Sequence, residues 1–284
     1  MVSFMKIILL QKGEKMKLTV LVDNNVYIDH YYLGEPALSF YLEDGDEKIL
    51  FDTGYSDVFI KNAAALNIDL SQITKLVLSH GHNDHTGGLA FLSNIFTKEK
   101  PQIIAHPLTF FPKKEDDLII GSTITKEELQ STYDLLLSKQ PIKLSPKITF
   151  LGEIPELIDF EPRKQVGETK LSEVFTPDYV LDDTALVLEG QDGLYIITGC
   201  SHSGISTICE YAKQVTGIQT IKGVIGGFHL FEDDLQLDKT IDYFENNQIT
   251  TLYPCHCVSF QAKAKIHSRI PIKEVGVGMQ LVWQ

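Results

Sequence analysis

Positive charge is scarce in this chain of 284 residues, because 25 Lys and Arg stand against 38 Asp and Glu, for a formal net charge of −13. A broad nucleic-acid-binding surface needs a basic face, so we expect no nucleic-acid partner. Long apolar runs are also missing: no stretch approaches the ~20 apolar residues that cross a bilayer, and we expect no membrane partner. The apolar content of 43% still allows a substantial core.

Cysteine is scarce as well, with four residues at Cys200, Cys209, Cys255 and Cys257. Paired C-x-x-C units are absent, which argues against a zinc ribbon, and no dinucleotide-binding fingerprint is present. Cys255 and Cys257 flank a histidine, an arrangement more typical of metal or structural use in a reducing cytosol than of a disulfide. We therefore expect a cytoplasmic protein.

The first ten residues contain an apolar patch without a basic leader before it or a small-residue cleavage site after it. This pattern argues against a signal peptide. A cleaner strand begins at Met16, so we expect residues 1–15 to be an extension, or translation to begin at Met16.

Apolar runs rich in Val, Ile and Leu predict strands at 17–22, 37–43, 47–51, 75–79, 102–105, 184–189, 193–198, 221–225 and 250–253. Helical periodicity predicts helices at 57–66, 88–96, 125–139, 204–216, 235–247 and 258–268. Scattered prolines and weaker periodicity mark residues 106–180, which we expect to form an insertion that walls or covers a site.

Three histidines and one aspartate crowd into six residues directly after the predicted strand 75–79. Crowded imidazoles beside a carboxylate are unfavourable unless something uses their lone pairs, and these donors suit zinc, iron or manganese. In an extended loop the i, i+2 pair His80 and His82 can point the same way. Asp84 and His85 follow a turn and can face a second position, so the segment predicts a site for one or two metals.

A second strand end, after 193–198, carries a thiol and an imidazole at Cys200 and His202. We expect His202 to be a ligand, while Cys200 stays open between a ligand and a simply buried thiol. A serine nucleophile at Ser201 is a weak alternative, because the nucleophile elbow G-x-S-x-G requires glycine where Ser203 stands.

Other polar residues lie at the ends of further predicted strands. His256 is a strong candidate for a later ligand, and His229, after two glycines, could line a pocket or play a structural role. Asp52 can accept the second N–H of a metal-bound histidine. Asp182 and Asp183 precede a strand, where one, Asp183 in particular, could reach the metals, although turn chemistry alone would explain both.

The run H-x-H-x-D-H at 80–85, with Gly87-Gly88 after it and Phe-Asp-Thr-Gly at 51–54, resembles the motif of the metallo-β-lactamase superfamily. The resemblance extends from about residue 16 to the end of the chain. It implies an α/β fold, a four-layer αββα sandwich in one domain over 1–284, with a two-metal site at one edge of the facing sheets. Further segments resemble a subgroup that includes archaeal dihydropterin–ribofuranosylaminobenzene phosphate synthases and related metal-dependent hydrolases: 21–24, 79–82, 199–202, 226–230 and 254–257.

The resemblance divides the ligands between two metals, a first held by His80 and His82 and a second held by Asp84, His85 and His256. The chain departs from the usual pattern at two places. The usual third histidine has no counterpart, and the usual bridging aspartate is replaced by Cys200. By this resemblance, His202 would supply the missing imidazole.

We therefore expect a hydrolase with two divalent metal ions, zinc first and manganese or iron as alternatives, that generate a metal-bound hydroxide at neutral pH. Asp84 would ligate a metal and orient this hydroxide. His229 would contact an anionic group of the substrate or protonate the leaving group.

We expect a small phosphate-containing or cyclic-ester substrate, because glycine-flanked helix N-termini such as the one after Gly87 and Gly88 favour anions. Three alternatives remain open: a transferase or synthase acting on a pterin precursor, a di-iron oxidoreductase with a separate electron donor, and a non-catalytic, metal-stabilised binding protein.

Overall fold

The computed structural model of the protein describes residues 15–97 and 99–283. Within them, strands β1 to β17 are Met16–Val22, Ser39–Asp44, Glu47–Phe51, Lys75–Val77, Gln102–Ala105, Lys113–Glu115, Leu118–Ile119, Leu135–Leu137, Ile142–Lys143, Ile148–Phe150, Glu168–Thr169, Thr176–Pro177, Ala185–Gly190, Gly193–Thr198, Ile221–Gly226, Thr251–Pro254 and Gln280–Trp283. Helices α1 to α6 are Val58–Ala65, Asn83–Thr86, Lys126–Gln130, Ile205–Thr216, Leu235–Asn246 and Phe260–Arg269, and 3₁₀ helices cover Leu70–Gln72 and Gly87–Asn94. Apart from its last residue, the predicted extension at 1–15 lies outside the described residues.

Two mixed sheets stack face to face at the centre of the molecule. The first has the strand order β17-β1-β2-β3-β4-β5-β8, and the second has the order β16-β15-β14-β13-β10-β9. One buried apolar cluster fills the space between the sheets, a second lies between the first sheet and α1, and a third lies between the second sheet and helices α4, α5 and α6. Helices therefore cover both outer faces, and the predicted αββα sandwich is confirmed.

Parallel pairing places the carboxyl ends of several strands at one edge of the sandwich. In the first sheet β3 runs parallel to β4, and in the second sheet β14, β15 and β16 are parallel to one another. Ligand sites in open α/β sheets form at this kind of edge. The two sheet edges touch where β4 and β14 end, because a Cβ on Gly199 would lie 2.2 Å from Ser79 Oγ.

Residues 106–180 divide among three sheets. Strands β6, β7, β11 and β12 form a small sheet of their own, whereas β8 extends the first large sheet and β9 and β10 extend the second. Only part of this segment therefore stands outside the sandwich, and its role as a cover stays a prediction. The predicted helix 125–139 is wrong beyond Gln130, because Leu135–Leu137 pairs in parallel with β5.

The predicted helix 88–96 is a 3₁₀ helix at Gly87–Asn94. Its two glycines pack against the chain after β3, where a Cβ on Gly87 would lie 2.3 Å from Tyr55 O and one on Gly88 the same distance from Thr53 O. Among the described residues, no helix has the length and apolar character that a membrane crossing requires.

Candidate metal centre

Histidine, cysteine and aspartate side chains meet where the two sheet edges touch. Their donor atoms form two adjoining groups of His80, His82 and Asp84 and of Asp84, His85, Cys200 and His256, with a third of His80, Cys200 and His202, and all atoms of a group lie within 4.8 Å of one another. The structure thus brings together all seven side chains predicted as ligands. Asp84 and Cys200 each belong to more than one group, which is the position a bridging ligand needs.

Hydrogen bonds define which nitrogen of His80 and His85 is free. Fully buried Asp52 accepts the backbone N–H and the hydroxyl of Ser79, each at 2.7 Å, and its Oδ2 lies 2.7 Å from His85 Nδ1. Since the Ser79 proton goes to Asp52, His80 Nδ1, 2.9 Å from Ser79 Oγ, is the donor in that pair. In both histidines Nδ1 is thus held by a protein partner, and Nε2 is the nitrogen that would bind a metal; it lies 3.0 Å from His82 Nδ1 in His80 and 3.2 Å from Cys200 Sγ in His85.

His256 follows β16 of the second sheet, and hydrogen bonds with residues just after β1 of the first sheet orient it in a similar way. Its backbone N–H donates to Asp23 Oδ1 at 2.9 Å, and its Nδ1 lies 3.1 Å from Asn24 Oδ1, which can only accept. This contact leaves Nε2 free, 3.2 Å from Asp84 Oδ2. The Asp23-Asn24 pair after β1 thus orients one of the predicted ligands.

Two more imidazole nitrogens are buried without a hydrogen-bond partner, His82 Nε2 and His202 Nε2. The ring of His202 lies 4.9 Å from that of His80 and 5.0 Å from that of His82, centroid to centroid. Unsatisfied buried nitrogens are costly, whereas a cation would use their lone pairs. The donor set therefore fits divalent metal ions.

Burial and mutual repulsion keep most of these imidazoles neutral. Burial lowers the pKa of His82 to about 4, and burial and neighbouring imidazoles hold the pKa values of His80 and His202 well below the ordinary range. Burial alone would also lower the pKa of His85, but the carboxylates of Asp84 and Asp52 raise it to about 9. His85 thus lies beside two carboxylates, whose negative charge would also stabilise a metal cation.

Backbone geometry at the strand ends is unusual. Four non-glycine residues of the site lie in the left-handed region, Asp52 at φ 60°, Ser201 at 61°, His229 at 50° and His256 at 51°. Such conformations cost free energy and tend to occur at functional sites. They turn the chain sharply after β3, β14, β15 and β16, so that the following side chains face the common edge.

Two openings lead to the cluster. A cleft of about 320 Å³ lies beside His82 and Asp84 and is lined also by Pro36, Tyr55 and Ile120. A much smaller cavity of about 20 Å³ is lined by His202, His229 and Lys164, among others. The larger cleft has room for a substrate group, whereas the smaller one holds little more than a water molecule.

A family model described as the metallo-beta-lactamase superfamily matches residues 33–216. The chain belongs to this superfamily. The match contains β2 to β4, β13 and β14, and with them every predicted ligand except His256.

A curated relative and a solved structure each match about nine tenths of this chain. A 7,8-dihydropterin-6-methyl-4-(beta-D-ribofuranosyl)-aminobenzene-5'-phosphate synthase of Methanocaldococcus jannaschii is 33% identical over 267 residues, which is 89% of this chain and 90% of that protein. The crystal structure of a metal-dependent hydrolase of the beta-lactamase superfamily aligns with a TM-score of 0.80 at 27% identity, over 94% of this chain and 98% of that one.

A diphosphatase of the PhnP family shares the superfamily fold, with a TM-score of 0.53 at 15% identity, over 95% of this chain and 97% of that one. The fold is therefore common to this chain and the two solved structures. Hydrolases and a synthase both stand among the similar proteins, so the similarity alone does not select one reaction.

The sequence left open whether Asp182 or Asp183 is a metal ligand. In the structure the two carboxylates have different partners. Asp182 Oδ2 accepts the backbone N–H of Gly81 at 2.7 Å, and its Oδ1 bonds to buried Lys113 Nζ at 3.0 Å. Asp183 Oδ2 accepts the Ser203 N–H at 2.8 Å. Neither joins the donor groups, so the geometry favours Cys200 over Asp183 as a ligand.

The expected anion sites at glycine-flanked helix N-termini are wrong. Gly88 N–H donates to Gly54 O at 3.2 Å, and the N-terminus of α4 is occupied by Glu161, which accepts from Ser206 N at 3.1 Å and Thr207 N at 2.8 Å. These amides are thus satisfied within the protein.

The sequence also missed several residues of the site. Cys257 lies within 4.8 Å of Cys200 and His229 donors, although strand alternation predicts that it points elsewhere. The left-handed turn at His256 redirects it. The amino-acid sequence around Lys113 contains no motif that marks it as a buried residue of the site. Ser201, the weak nucleophile candidate, donates its hydroxyl to Gly227 O at 2.6 Å and is structural.

Proposed function

We propose that the protein is a hydrolase with a dinuclear metal centre that acts on a small phosphate-containing or cyclic-ester substrate. The observation that carries the proposal is the pair of adjoining donor groups that share Asp84, in which the Nε2 atoms of His80, His85 and His256 face other donor atoms of the cluster. His80, His82 and His202 would hold one ion, and Asp84, His85, Cys200 and His256 the other.

Two divalent ions held there would supply Lewis acidity and lower the pKa of a bound water. Asp52 keeps the Nδ1 proton of His85 in place, so that its Nε2 stays directed at the centre. Asp84 presents a carboxylate at the floor of the 320 Å³ cleft, where it orients an attacking water. His229 lines the smaller cavity, which has room for a water molecule that would relay its ring N–H to an anionic oxygen of the substrate.

A phosphate-containing substrate is supported by the 5'-phosphate in the name of the Methanocaldococcus jannaschii relative. Zinc is the ion we propose, since imidazole, carboxylate and thiolate donors together are typical of it. A cytoplasmic location belongs to the same proposal, because all four cysteines are free thiols, which a reducing compartment preserves.

A synthase reaction on a pterin precursor is the second candidate. It is favoured by the 33% identity to the Methanocaldococcus jannaschii synthase across 89% of this chain. In that case the same donor set would bind the phosphate-bearing partner of a coupling reaction, and water would have to be excluded from the cleft.

The test combines metal analysis with a panel of chromogenic phosphomonoesters, phosphodiesters and cyclic esters. We expect about two metal ions per chain and turnover that a chelator abolishes and zinc, manganese or iron restores. The substitutions His82→Ala and His85→Ala should abolish turnover while the protein stays folded, whereas His267→Ala, on the exposed side of α6, should retain it.

Less than one bound metal per chain, together with no turnover in any metal, would refute the hydrolase proposal. Product analysis separates the two candidates, since a synthase joins a pterin precursor to a phosphorylated partner and a hydrolase releases an alcohol and an acid. Retained turnover in His82→Ala would contradict the assigned ligands.

A further inference from the structure

Beside the dinuclear donor groups lies a second thiol that the proposed function does not use. The sulfurs of Cys200 and Cys257 and a ring nitrogen of His229 all lie within 4.8 Å of one another. We propose that these three side chains form an additional, thiolate-rich position for a thiophilic cation such as Zn²⁺.

The donor spacing suits a tetrahedral ion. Zinc–sulfur bonds of about 2.3 Å in tetrahedral geometry place donors roughly 3.8 Å apart. The three donors need only small side-chain movements to reach that spacing from separations below 4.8 Å. Three protein donors leave a fourth position for water or substrate.

Within residues 15–97 and 99–283, the polar side-chain partners of Cys257 are Cys200 and His229 themselves. His229 Nδ1 is buried and has no hydrogen-bond partner. Cys257 Sγ lies 3.5 Å from Cys200 O and is also within hydrogen-bonding reach of the Cys200 thiol and the His229 ring. A buried imidazole nitrogen without a partner is costly, and a cation shared with two sulfurs would remove that cost.

The backbone leaves space for the Cys257 sulfur. A Cβ on Gly227 would lie 2.4 Å from Cys257 Sγ, so only glycine is accommodated there without displacing the thiol. The neighbouring Cys255 is part of the apolar cluster between the sheets. The left-handed turn at His256 therefore sends one thiol of the pair to the core and the other to the site.

Soft thiolate donors set this position apart from the imidazole and carboxylate groups beside it, and they favour Zn²⁺ or Cd²⁺ over Mg²⁺ or Mn²⁺. The inference rests on the proposed function in one respect, because Cys200 is shared with the dinuclear centre. His229 can bind a cation through one ring nitrogen and still donate to substrate through the other.

The experiment titrates metal-free, reduced protein with Cd²⁺ under anaerobic conditions. It records the thiolate-to-metal charge-transfer absorbance and the bound metal per chain for the wild type, Cys257→Ala, Cys257→Ser and Cys209→Ala. We expect both Cys257 variants to lose one bound equivalent and part of the absorbance. Cys209→Ala, which alters a thiol in a distant core, should match the wild type.

His229→Ala gives a second reading, since both thiols remain while the imidazole donor is removed, and it should also lose one equivalent. Unchanged stoichiometry and absorbance in the Cys257 variants would overturn the inference. A Cys200–Cys257 disulfide in protein isolated anaerobically would overturn it too. Hydrolysis by the wild type tests the proposed function separately, so the two failures are distinguishable.

Discussion

Asp52 lines neither of the two cavities beside the cluster, yet it accepts three hydrogen bonds and fixes both Ser79 and His85. Asp52→Asn would place an amide N–H₂ where an acceptor is needed and would release the orientation of His85. We expect metal affinity to fall by about 10–100-fold, as is typical when the partner of a ligating histidine is removed. Competition with a chelator measures it, and Asp57→Asn, at an exposed ion pair with Lys61, is the control. Equal affinities in Asp52→Asn and the wild type would contradict this role.

His106, which the sequence offered no reason to single out, is buried and holds two contacts. Its Nδ1 accepts the Leu108 N–H at 3.2 Å, and its Nε2 lies 3.0 Å from Glu153 Oε2. This arrangement needs the neutral ring. Burial lowers the pKa of His106 below its ordinary value of 6.5, although the acidic groups Asp182 and Glu153 oppose the shift.

The free energy of unfolding depends on pH because the folded and unfolded chains differ in proton binding at His106. Above pH 6.5 the ring is neutral in the folded and unfolded states, and below it the unfolded chain binds a proton that the folded chain does not. We expect the free energy of unfolding to decrease as the pH falls from 6.5 towards the lower folded-state pKa. Urea unfolding across this range should show a flatter profile for His106→Gln, and parallel profiles would refute the assignment.

At this scale, the sequence predicts which residues gather but not which atoms they use. His80, His82 and His85 are recognisable because they crowd together after an apolar strand. Lys113, Asp23 and Cys257 are not, because their roles depend on contacts with residues far away in the chain and on a left-handed turn that no residue type signals.

Helix α4 begins at Ile205 with a carboxylate from a distant loop in place of a local cap. Glu161 accepts two amides there, and a Cβ on Gly204 would lie 2.3 Å from its Oε2. We expect Glu161→Ala to lower the free energy of unfolding by about 1–3 kcal/mol, because buried N–H groups lose their acceptor. Asp234→Ala, at the cap of α5, should cost about 1 kcal/mol and serves as the comparison. Equal urea midpoints for Glu161→Ala and the wild type would contradict this.

Elements with local signals are predictable. The helices at α1, α4, α5 and α6 and the long central strands lie within a few residues of their predicted ends. The helix predicted at 125–139 is cut short, because Leu135–Leu137 gains a parallel partner in β5. The two-residue strands of the small sheet carry too few residues for a period to be read.

At the scale of the whole molecule, a buried ion cluster joins the small sheet to the sandwich of the two large sheets. Lys113 of β6 bonds to Asp178 at 2.6 Å and to Asp182 at 3.0 Å, and Asp182 in turn holds the amide between two predicted ligands. Lys113→Met would leave two buried carboxylates without a counter-charge. We expect a loss of about 3–5 kcal/mol in urea unfolding.

The double variant Lys113→Met, Asp178→Asn should recover part of this loss, because one uncompensated charge is removed. Lys61→Met, at an exposed pair, should change stability by less than about 1 kcal/mol. A similarly small effect of Lys113→Met would show that the small sheet is held by other contacts.

The fold of the whole molecule was predictable through the motif resemblance, since strand patterns alone do not specify how two sheets face each other. The ligand groups combine side chains from 80–85, 200–202 and 256, and only the parallel register of β14, β15 and β16 brings the last two segments together. Register of this kind depends on long-range pairing that a single sequence does not display.

The left-handed residues at the four strand ends have a consequence for evolution. A non-glycine residue in that conformation costs roughly 1–2 kcal/mol, so four of them consume a sizeable share of a typical folding free energy of about 5–15 kcal/mol. Selection for thermal resistance alone should therefore enrich glycine or asparagine at His229, and sequencing the survivors of such a library measures it. Without that enrichment the idea fails. With it, the most heat-resistant variants would be those that have lost a side chain of the proposed active site.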